Sequence, residues 1–543
     1  MSKSVARTPP WASVCVLLLG VHPLASPAFG QEPARRPEGR NESVGYRASA
    51  YLPLGHWAYP AIEYWISVGR IGSLSPFVRP YRRIDVARAL RKVEEERLYA
   101  FEKDLMRRLR AEFEPELSAL RGTAEGAGTL DIRFAAGGTY RSQQHRDALR
   151  PELEGRFSDD DAFEHMSVRA VGQAGVLAGG FIGTRDKIFV NDAQFPDGRV
   201  VPRTSFPIFD EGSFRIQEGY AELQTKFARL FFGRMYRNWG PPGLLGFLRS
   251  NYAYSEEEIG YRFGVDEIFL IGFFTSYGDF RSDTTHYHAV HRLEVRPVHN
   301  LMLAVSEATV HGGPSQSVNF RLINPVSIWQ FARADDDPPH NKLGQLDLWW
   351  RPVRGLALYG SFLADATNEE QSCCQIGGSF GFALPTVAPG WLVRANVTAI
   401  QSLAYRTSLP WEEYSVERIG LGWDKTDLYL ATLEAEWFAG PGLLLRPRLD
   451  VQVKGEGDFR ELRPPAAALD TFPRILVGDA ETTFRPSLAG RWRSGTSFPI
   501  DVEWDLGVNI ITDYRNETGD DRTEFVGSVR AVIETPRIGI VLP

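Results

Sequence analysis

Apolar and polar residues alternate strictly in many short segments of this chain, and that pattern restricts it to β-structure with two chemically different faces. Leu443 to Lys454 reads LLLRPRLDVQVK, with Leu443, Leu445, Pro447, Leu449, Val451 and Val453 on one face and Arg446, Arg448, Asp450, Gln452 and Lys454 on the other. Ile500 to Ile510 repeats it, with Ile500, Val502, Trp504, Leu506, Val508 and Ile510 set against Asp501, Glu503, Asp505 and Asn509. A strand projects successive side chains to opposite sides, so each segment is oily on one face and charged on the other. A soluble sandwich buries the oily face and wets the charged one. A membrane-embedded barrel gives the oily face to lipid and turns the charged one toward a wet interior.

Several features favour the barrel. The chain opens with a secretory signal: Lys3 and Arg7, an apolar run from Trp11 to Leu19 too short to span a bilayer, and a cleavage site at Ala28-Phe29-Gly30 before Gln31. No other stretch reaches the ~18 apolar residues of a transmembrane helix. A mean hydropathy of −0.24 does not oppose membrane residence, because only alternate residues of a barrel strand meet lipid. The net charge of −7 and the absence of a basic block in the mature chain argue against a nucleic-acid partner. Cys15 falls inside the signal, which leaves only the adjacent Cys373 and Cys374. Neighbouring cysteines form a strained bridge at best, and they read as loop thiols or an incidental pair rather than a redox site.

The order along the chain is a signal peptide (1–30), a polar linker (31–43), a helical periplasmic domain (44–125) and a transmembrane antiparallel β-barrel (126–543). In the helical part, Trp57 to Gly69 carries Ile62, Trp65 and Ile66 at helical spacing, and Gly69 is a stop. Ile84 to Ala111 reads as one long amphipathic helix through Val86, Leu90, Val93, Leu98, Phe101, Leu105 and Leu109. The order His56-Trp57, Ala61-Ile62-Glu63, Gly69, Pro80, Arg83, Val86-Ala87 resembles a single S-layer-homology repeat, which implies cell-wall polymer as a partner. A small helical bundle on the periplasmic end of the barrel is the preferred reading.

Candidate strands are Leu130–Arg141, His165–Gln173, Val176–Thr184, Gln217–Phe227, Arg229–Tyr236, Glu267–Ser276, Tyr287–Val295, Met302–Val310 and Leu343–Trp350. They continue as Leu356–Asp365, Gly377–Ala383, Leu392–Ser402, Arg418–Trp423, Tyr429–Phe438, Leu443–Lys454, Pro486–Arg493, Ile500–Ile511 and Phe525–Glu534. Tight turns such as 351–355 and 439–442 alternate with longer polar stretches such as 185–214, 332–341 and 455–482, as at the two rims of a bacterial barrel. Roughly 20–25 residues per strand and connection predict about 16 to 20 strands. Trp349, Trp350, Tyr359, Trp391, Trp437 and Trp492 sit near segment ends, where interfacial girdles are expected.

Catalytic motifs are thin. Gly377-Gly378-Ser379-Phe380-Gly381 matches G-x-S-x-G, but it lies in a strand-like run with no helix after it, unlike a nucleophile elbow. His286 and His288 would share a strand face that His291 does not, which argues against a metal site. Asp335-Asp336-Asp337 lacks a calcium-loop pattern and reads as a solvated loop. No cofactor or metal is expected, and no enzyme.

One ordered series of motifs is more specific. Gly233-Arg234-Met235-Tyr236-Arg237-Asn238-Trp239-Gly240-Pro241-Pro242-Gly243 is followed by Leu248-Arg249-Ser250-Asn251, then His291-Arg292-Leu293-Glu294 and Glu307. Leu322-Ile323-Asn324-Pro325, Asn341 before Leu343-Gly344, and Leu358-Tyr359-Gly360 with Phe362 to Asp365 come next. This series, over roughly residues 215–440, resembles the Wzi-type capsule assembly family of outer-membrane proteins. The resemblance implies an 18-stranded barrel with a helical bundle at its periplasmic end, and a lectin-like role in retaining capsular or related polysaccharide at the cell surface. Its motif positions here are Trp239, Gly240, Pro241, Asn324, Pro325 and Asn341. The chain departs from the usual barrel ending: Ile538 to Pro543 lacks a terminal aromatic, so the last strand is expected to stop near Ile533 or the insertion signal to differ.

Sugar recognition wants aromatic faces for pyranose rings, and carboxylates, amides and guanidinium groups for hydroxyls. Tyr252, Tyr254, Glu256 and Glu257 after the Trp239 motif, and Trp329 and Arg333 beyond Asn324-Pro325, are the binding candidates. Arg234, Arg237, His291, Arg292, Glu294 and Glu307 are candidates for a charge network in the lumen. The expected partners are surface polysaccharide and outer-membrane lipid, with the chain a monomer. The competing reading is a carbohydrate-permeable porin, which requires an open lumen.

Overall fold

The computed structural model describes residues 47–122, 128–142, 149, 162–186, 205–208, 212–253, 255–278, 284–314, 316, 318–325, 340–366, 375–385, 388–416, 418–469 and 471–542. The signal, the linker, Cys373, Cys374 and Asp335 to Asp337 lie outside these residues.

Among the described residues, twenty strands join one antiparallel sheet that closes on itself as eighteen staves. The first nine are β1 (Gly128–Arg141), β2 (Ala162–Ala174), β3 (Leu177–Asp186), β4 (Gly212–Gln224), β5 (Ala228–Arg234), β6 (Glu257–Gly264), β7 (Ile268–Gly278), β8 (Thr284–Val298) and β9 (Leu301–Pro314). The rest are β10 (Asn341–Val353), β11 (Leu356–Ala366), β12 (Gln375–Pro385), β13 (Trp391–Ile400), β14 (Leu428–Gly440), β15 (Leu443–Lys454), β16 (Glu481–Arg493), β17 (Ile500–Thr512) and β18 (Arg522–Glu534). The short strand Ser205–Ile208 pairs only with the start of β4 and adds no stave. Ile538–Leu542 continues β18 after a break, since both pair with β1 (Ala135↔Glu534 and Ile132↔Ile538) and so close the ring. The wall therefore ends at Leu542, beyond the expected stop near Ile533.

Exposure decides which face meets lipid. In β15, Leu449 and Val451 are 44% and 38% exposed, while Asp450 and Gln452 are 0% and 2% exposed. In β17, Leu506 and Ile510 are exposed, and Asp501, Asp505 and Asn509 are buried. Oily residues outside and polar residues inside is the order of a membrane barrel, and the reverse of a soluble sandwich. Trp350, Trp391, Trp437 and Trp492 lie on the outward face near the short-turn end, and the Trp391 and Trp437 rings stack at 5.0 Å. Trp349 and Tyr359, expected in this girdle, instead face inward, stack at 5.3 Å and join the helical core. They neighbour girdle positions in sequence, but their parity puts them on the opposite face.

Two strand expectations fail for a readable reason. Arg418–Trp423 is no stave; it lies inside the lumen, where Ser415–Val416 pairs with Ile419–Gly420. Glu257–Gly264, which is not among the candidate strands, is a stave in which Glu258 turns inward to two arginines while Ile259 turns out.

The N-terminal helices are α1 (Tyr59–Val68), α2 (Arg83–Arg91), α3 (Ala100–Glu112) and α4 (Glu114–Arg121). Gly69 ends α1 in the left-handed region, at φ 85°, as the stop signal predicts. The single long helix expected over 84–111 is two, separated at 92–99, where Leu98 turns back into the core. The helices sit at the short-turn end, which in a bacterial barrel is periplasmic. Arg491 donates to the Gly55 carbonyl at 3.1 Å, and Tyr64 packs edge-on to Phe438 at 5.2 Å. Arg83 holds Glu116 at 2.7 Å and Glu112 at 2.8 Å, and Arg133 of the wall reaches Glu112 at 3.2 Å. Burial opposes charge on Glu112, yet Arg83 and the other cations hold its carboxyl well below the usual range. The helices share one apolar core with Met302, Trp349, Tyr359, Ala383 and Leu392 of the wall, so the periplasmic end of the lumen is packed.

Candidate functional site

The connection between β5 and β6 carries the Trp239 motif and folds into the lumen instead of over the rim. Met235, Trp239, Phe247 and Leu248 are fully buried. The connection between β13 and β14 (401–427) enters from the same end and meets it. Tyr405 and Tyr414 donate their hydroxyls to the Phe247 and Leu248 carbonyls at 2.8 and 2.7 Å, and the Ser250 amide donates to the Leu421 carbonyl at 2.9 Å. Two glycines permit the approach. A Cβ on Gly422 would lie 1.8 Å from the Phe247 carbonyl oxygen, and one on Gly246 would lie 2.4 Å from the Arg249 carbonyl oxygen.

This plug is tied to the helical domain. Arg79 and Asn238 exchange backbone hydrogen bonds at 3.1 and 3.2 Å, and the Arg79 guanidinium donates to the Gly240 carbonyl at 2.7 Å and pairs with Glu63. Gly240 and Pro241 of the family motif thus serve as an anchor for the N-terminal segment. Trp239 packs on Phe273. Asn341 donates to the Glu412 carbonyl at 3.0 Å and pins the second plug segment to β10, whereas Asn324 is exposed.

Beneath the plug lies a buried polar network. Arg292 pairs with Asp347 and with Glu294 (3.3 Å) and donates to the Ser306 hydroxyl at 3.1 Å. Ser75 donates to Glu294 at 2.9 Å, and Gln345 donates to Asp347 at 2.7 Å while accepting from the Leu248 amide at 3.0 Å. This cluster ties wall, plug and helical domain together at one point.

Of the six residues expected in the lumen network, Arg237, Arg292 and Glu294 lie inside. His291 and Glu307 pair at 3.2 Å on the opposite face from Arg292. Their register runs through Gly272 and Tyr261 to Leu230, which is exposed on the outer wall. Arg234 also takes the outward register, beside Glu257 at 2.8 Å. The outward face near His291 is partly covered by Leu322, which packs on Phe274, Tyr287 and Ala289. Among the binding candidates, Tyr252 is buried in the plug core, Glu257 is exposed at the rim and Glu256 is half-buried. Tyr254, Trp329 and Arg333 lie outside the described residues.

At the extracellular end, plug and wall leave a small cleft of about 10 Å³, lined by Arg237, Arg249, Ser250, Glu256, Thr275 and His288 among others. Arg249 and Ser250 figure in the sequence only within the ordered motif series and His288 only as part of a histidine cluster; none of them, nor Thr275, is among the binding candidates. Strand parity places Thr275 and His288 on the inward face, but the inward path of the plug that brings Arg249 and Ser250 beside them leaves no local signal.

Glu412 gives the plug a pH response. Burial pushes its carboxyl up to about 8. A raised acid binds its proton in the folded state over a range where the unfolded chain has lost it. Its stabilising contribution is therefore full at acid pH and falls as pH rises from the ordinary carboxylate value to about 8. With the base-catalysed rise in intrinsic amide exchange divided out, protection factors over residues 401–426 are expected to be lower at pH 9 than at pH 6, and Glu412→Gln is expected to flatten that difference. Equal protection factors at both pH values would refute it.

Ser379 lies within β12, with strand on both sides, so no strand–turn–helix elbow is formed there. Among the described residues, no three histidine, cysteine or acidic side chains are grouped to hold a metal.

A family described as capsule assembly protein Wzi matches residues 116–399. Among solved structures the fold is similar to Wzi of Escherichia coli, an outer-membrane protein involved in group 1 capsule assembly and a carbohydrate-binding β-barrel. The TM-score is 0.62 at 14% identity, covering 91% of this chain and 100% of that one. A BenF-like porin from Pseudomonas fluorescens Pf-5 matches with a TM-score of 0.43 at 8% identity, over 76% of this chain and 99% of that one. No curated protein matches the sequence.

Proposed function

The chain belongs to the Wzi capsule assembly family, and from that premise we propose that it retains capsular or related surface polysaccharide by lectin-like, non-catalytic binding at the extracellular mouth of its barrel. It is a capsule-related outer-membrane protein. The observation that carries the binding reading is the filled lumen. The β5–β6 and β13–β14 connections pack an apolar core across it, and the helices pack its periplasmic end. A barrel of about this size left unfilled would hold an aqueous channel. A plug held by tyrosine, serine and asparagine hydrogen bonds spends that space on a rigid platform, which supports binding and weighs against the porin reading. Carbohydrate binding is also what the similar E. coli barrel does. The helices spend their apolar faces on the barrel core, and we assign them closure of the periplasmic end in preference to cell-wall polymer binding.

The test is capsule retention. A deletion strain is expected to release surface polysaccharide from the cell-bound fraction to the medium while total polysaccharide stays constant. Retention equal to wild type would overturn the proposal.

A further inference from the structure

The cleft between plug and wall has polar groups that its own architecture leaves unmet. Arg237 is held rigidly: its guanidinium lies 3.7 Å from the Phe273 ring centre and 4.5 Å from that of Phe231, and its Nε donates to Glu258 at 2.5 Å. Its Nη2 is buried without a hydrogen-bond partner among the described residues, and so is the Thr275 hydroxyl. The two side chains are 4% and 2% exposed, and both line the cleft. Leaving a buried polar group unmet is costly, so two on residues that line one cleft point to an occupant.

Charge and size identify the occupant's chemistry. Arg237 and Arg249 share Glu258, and Glu256 lies on the rim, so two cations face two carboxylates. A balanced site beside a carboxylate repels an anion. A volume of about 10 Å³ admits about one water-sized oxygen. The Ser250 hydroxyl is already spent on the Gly422 carbonyl at 2.6 Å, and His288 Nε2 meets the Tyr414 hydroxyl at 3.3 Å. The lining groups buried without a partner among the described residues are one strong donor and one hydroxyl that can give or accept, which is the complement of a single alcohol.

We propose that this cleft is a sugar-hydroxyl subsite. One uncharged pyranose hydroxyl enters it, accepts from Arg237 Nη2 and bonds to Thr275, while the ring stays outside. This deepens the polysaccharide-binding reading and rests on it.

The probe is the surface polysaccharide purified from the organism that makes this protein, titrated against the detergent-purified full chain. Thr275→Val is expected to weaken binding about tenfold, by replacing the Thr275 partner of the sugar hydroxyl with a methyl group. Thr275→Ser is expected to restore it, and heat-modified gel migration checks that each variant is a folded barrel. Arg237→Lys, which keeps the charge but loses the fork, gives the same loss by an independent route. Carboxyl-reduced polysaccharide is expected to bind wild type unchanged, as is native polysaccharide at about 0.5 M salt. Equal binding by wild type, Thr275→Val and Arg237→Lys would leave an ordered water as the only occupant, overturning the subsite while the polysaccharide reading stands. Loss of binding on carboxyl reduction would make the group a carboxylate and overturn the assignment. No binding by wild type would remove the polysaccharide reading and the subsite with it.

Discussion

Replacing Arg292 with leucine is expected to destabilise the barrel by about 3–5 kcal/mol, because it strands the Asp347 carboxylate, and takes one of two arginines from Glu294, in a site that water does not reach. Arg292, Asp347 and Glu294 all have fully buried side chains. The guanidinium serves both acids and the Ser306 hydroxyl, and lies 5.6 Å from the Phe77 ring centre and 5.9 Å from that of Trp239. Leucine matches part of its volume but supplies none of its donors. Glu294 keeps Arg296 at 3.0 Å and the Ser75 hydroxyl, but Asp347 is left with only Gln345 and Ser361, too few to hold its charge. Lysine restores the charge but not the fork, so Arg292→Lys is expected between wild type and leucine. Because this point joins helical domain, plug and wall, the loss is expected in global unfolding. The measurement is urea unfolding in lipid vesicles, followed by tryptophan fluorescence. The exposed Arg522–Asp520 pair is the control, and Arg522→Leu is expected to leave the transition unmoved. An Arg292→Leu transition coincident with wild type would show that the network does not hold the barrel together.

The wall was legible because each stave carries its own evidence. Leu449 and Asp450 are neighbours with opposite environments, and that contrast is written in the sequence at a period of two. The misread elements lack such local evidence. Arg418–Trp423 has strand-like composition but no lipid to face, and meets Phe247 and Ser250 of the other plug segment instead. The run Glu256-Glu257-Glu258 offers sugar-binding candidates in the sequence and not the start of a strand, because the two arginines that neutralise Glu258 lie earlier in the chain at Arg237 and Arg249. Among the network residues, parity alone separates Arg292 from His291. The ordered motifs gave the family, yet the role of one of them was hidden: Gly240 and Pro241 accept from Arg79, which lies in the helical domain. Burial of Tyr252 had the same cause, since a connection that turns inward looks, in sequence, like one that turns out.

Wild-type protein in planar bilayers is expected to show no steady conductance, and Gly422→Val is expected to open the lumen. The physical reason is a single contact. A Cβ at Gly422 would fall 1.8 Å from the Phe247 carbonyl oxygen and 2.6 Å from its carbon, both backbone atoms that no rotamer change can move. The two plug segments must then separate. That separation costs the Ser250 bonds to Leu421 and Gly422, the stacking of Phe247 on Trp423 and the Trp423 indole bond to the Leu245 carbonyl. The wall is untouched, because β13 and β14 keep their ten paired residues. The variant is therefore expected to fold, to migrate as a barrel and to pass current in single-channel steps, because the parted plug also loosens Arg79 and the helices it anchors at the periplasmic end. Polysaccharide binding is expected to fall at the same time, because Leu421 and Arg249 lie on opposite sides of the parted seam and both line the cleft. The paired readout separates the competing functions. Steady wild-type conductance would favour the porin. A folded but silent Gly422→Val with weakened binding would place the permeability barrier in the N-terminal helices and leave the plug only the binding role. Conductance that appears as binding disappears would show one seam performing both tasks.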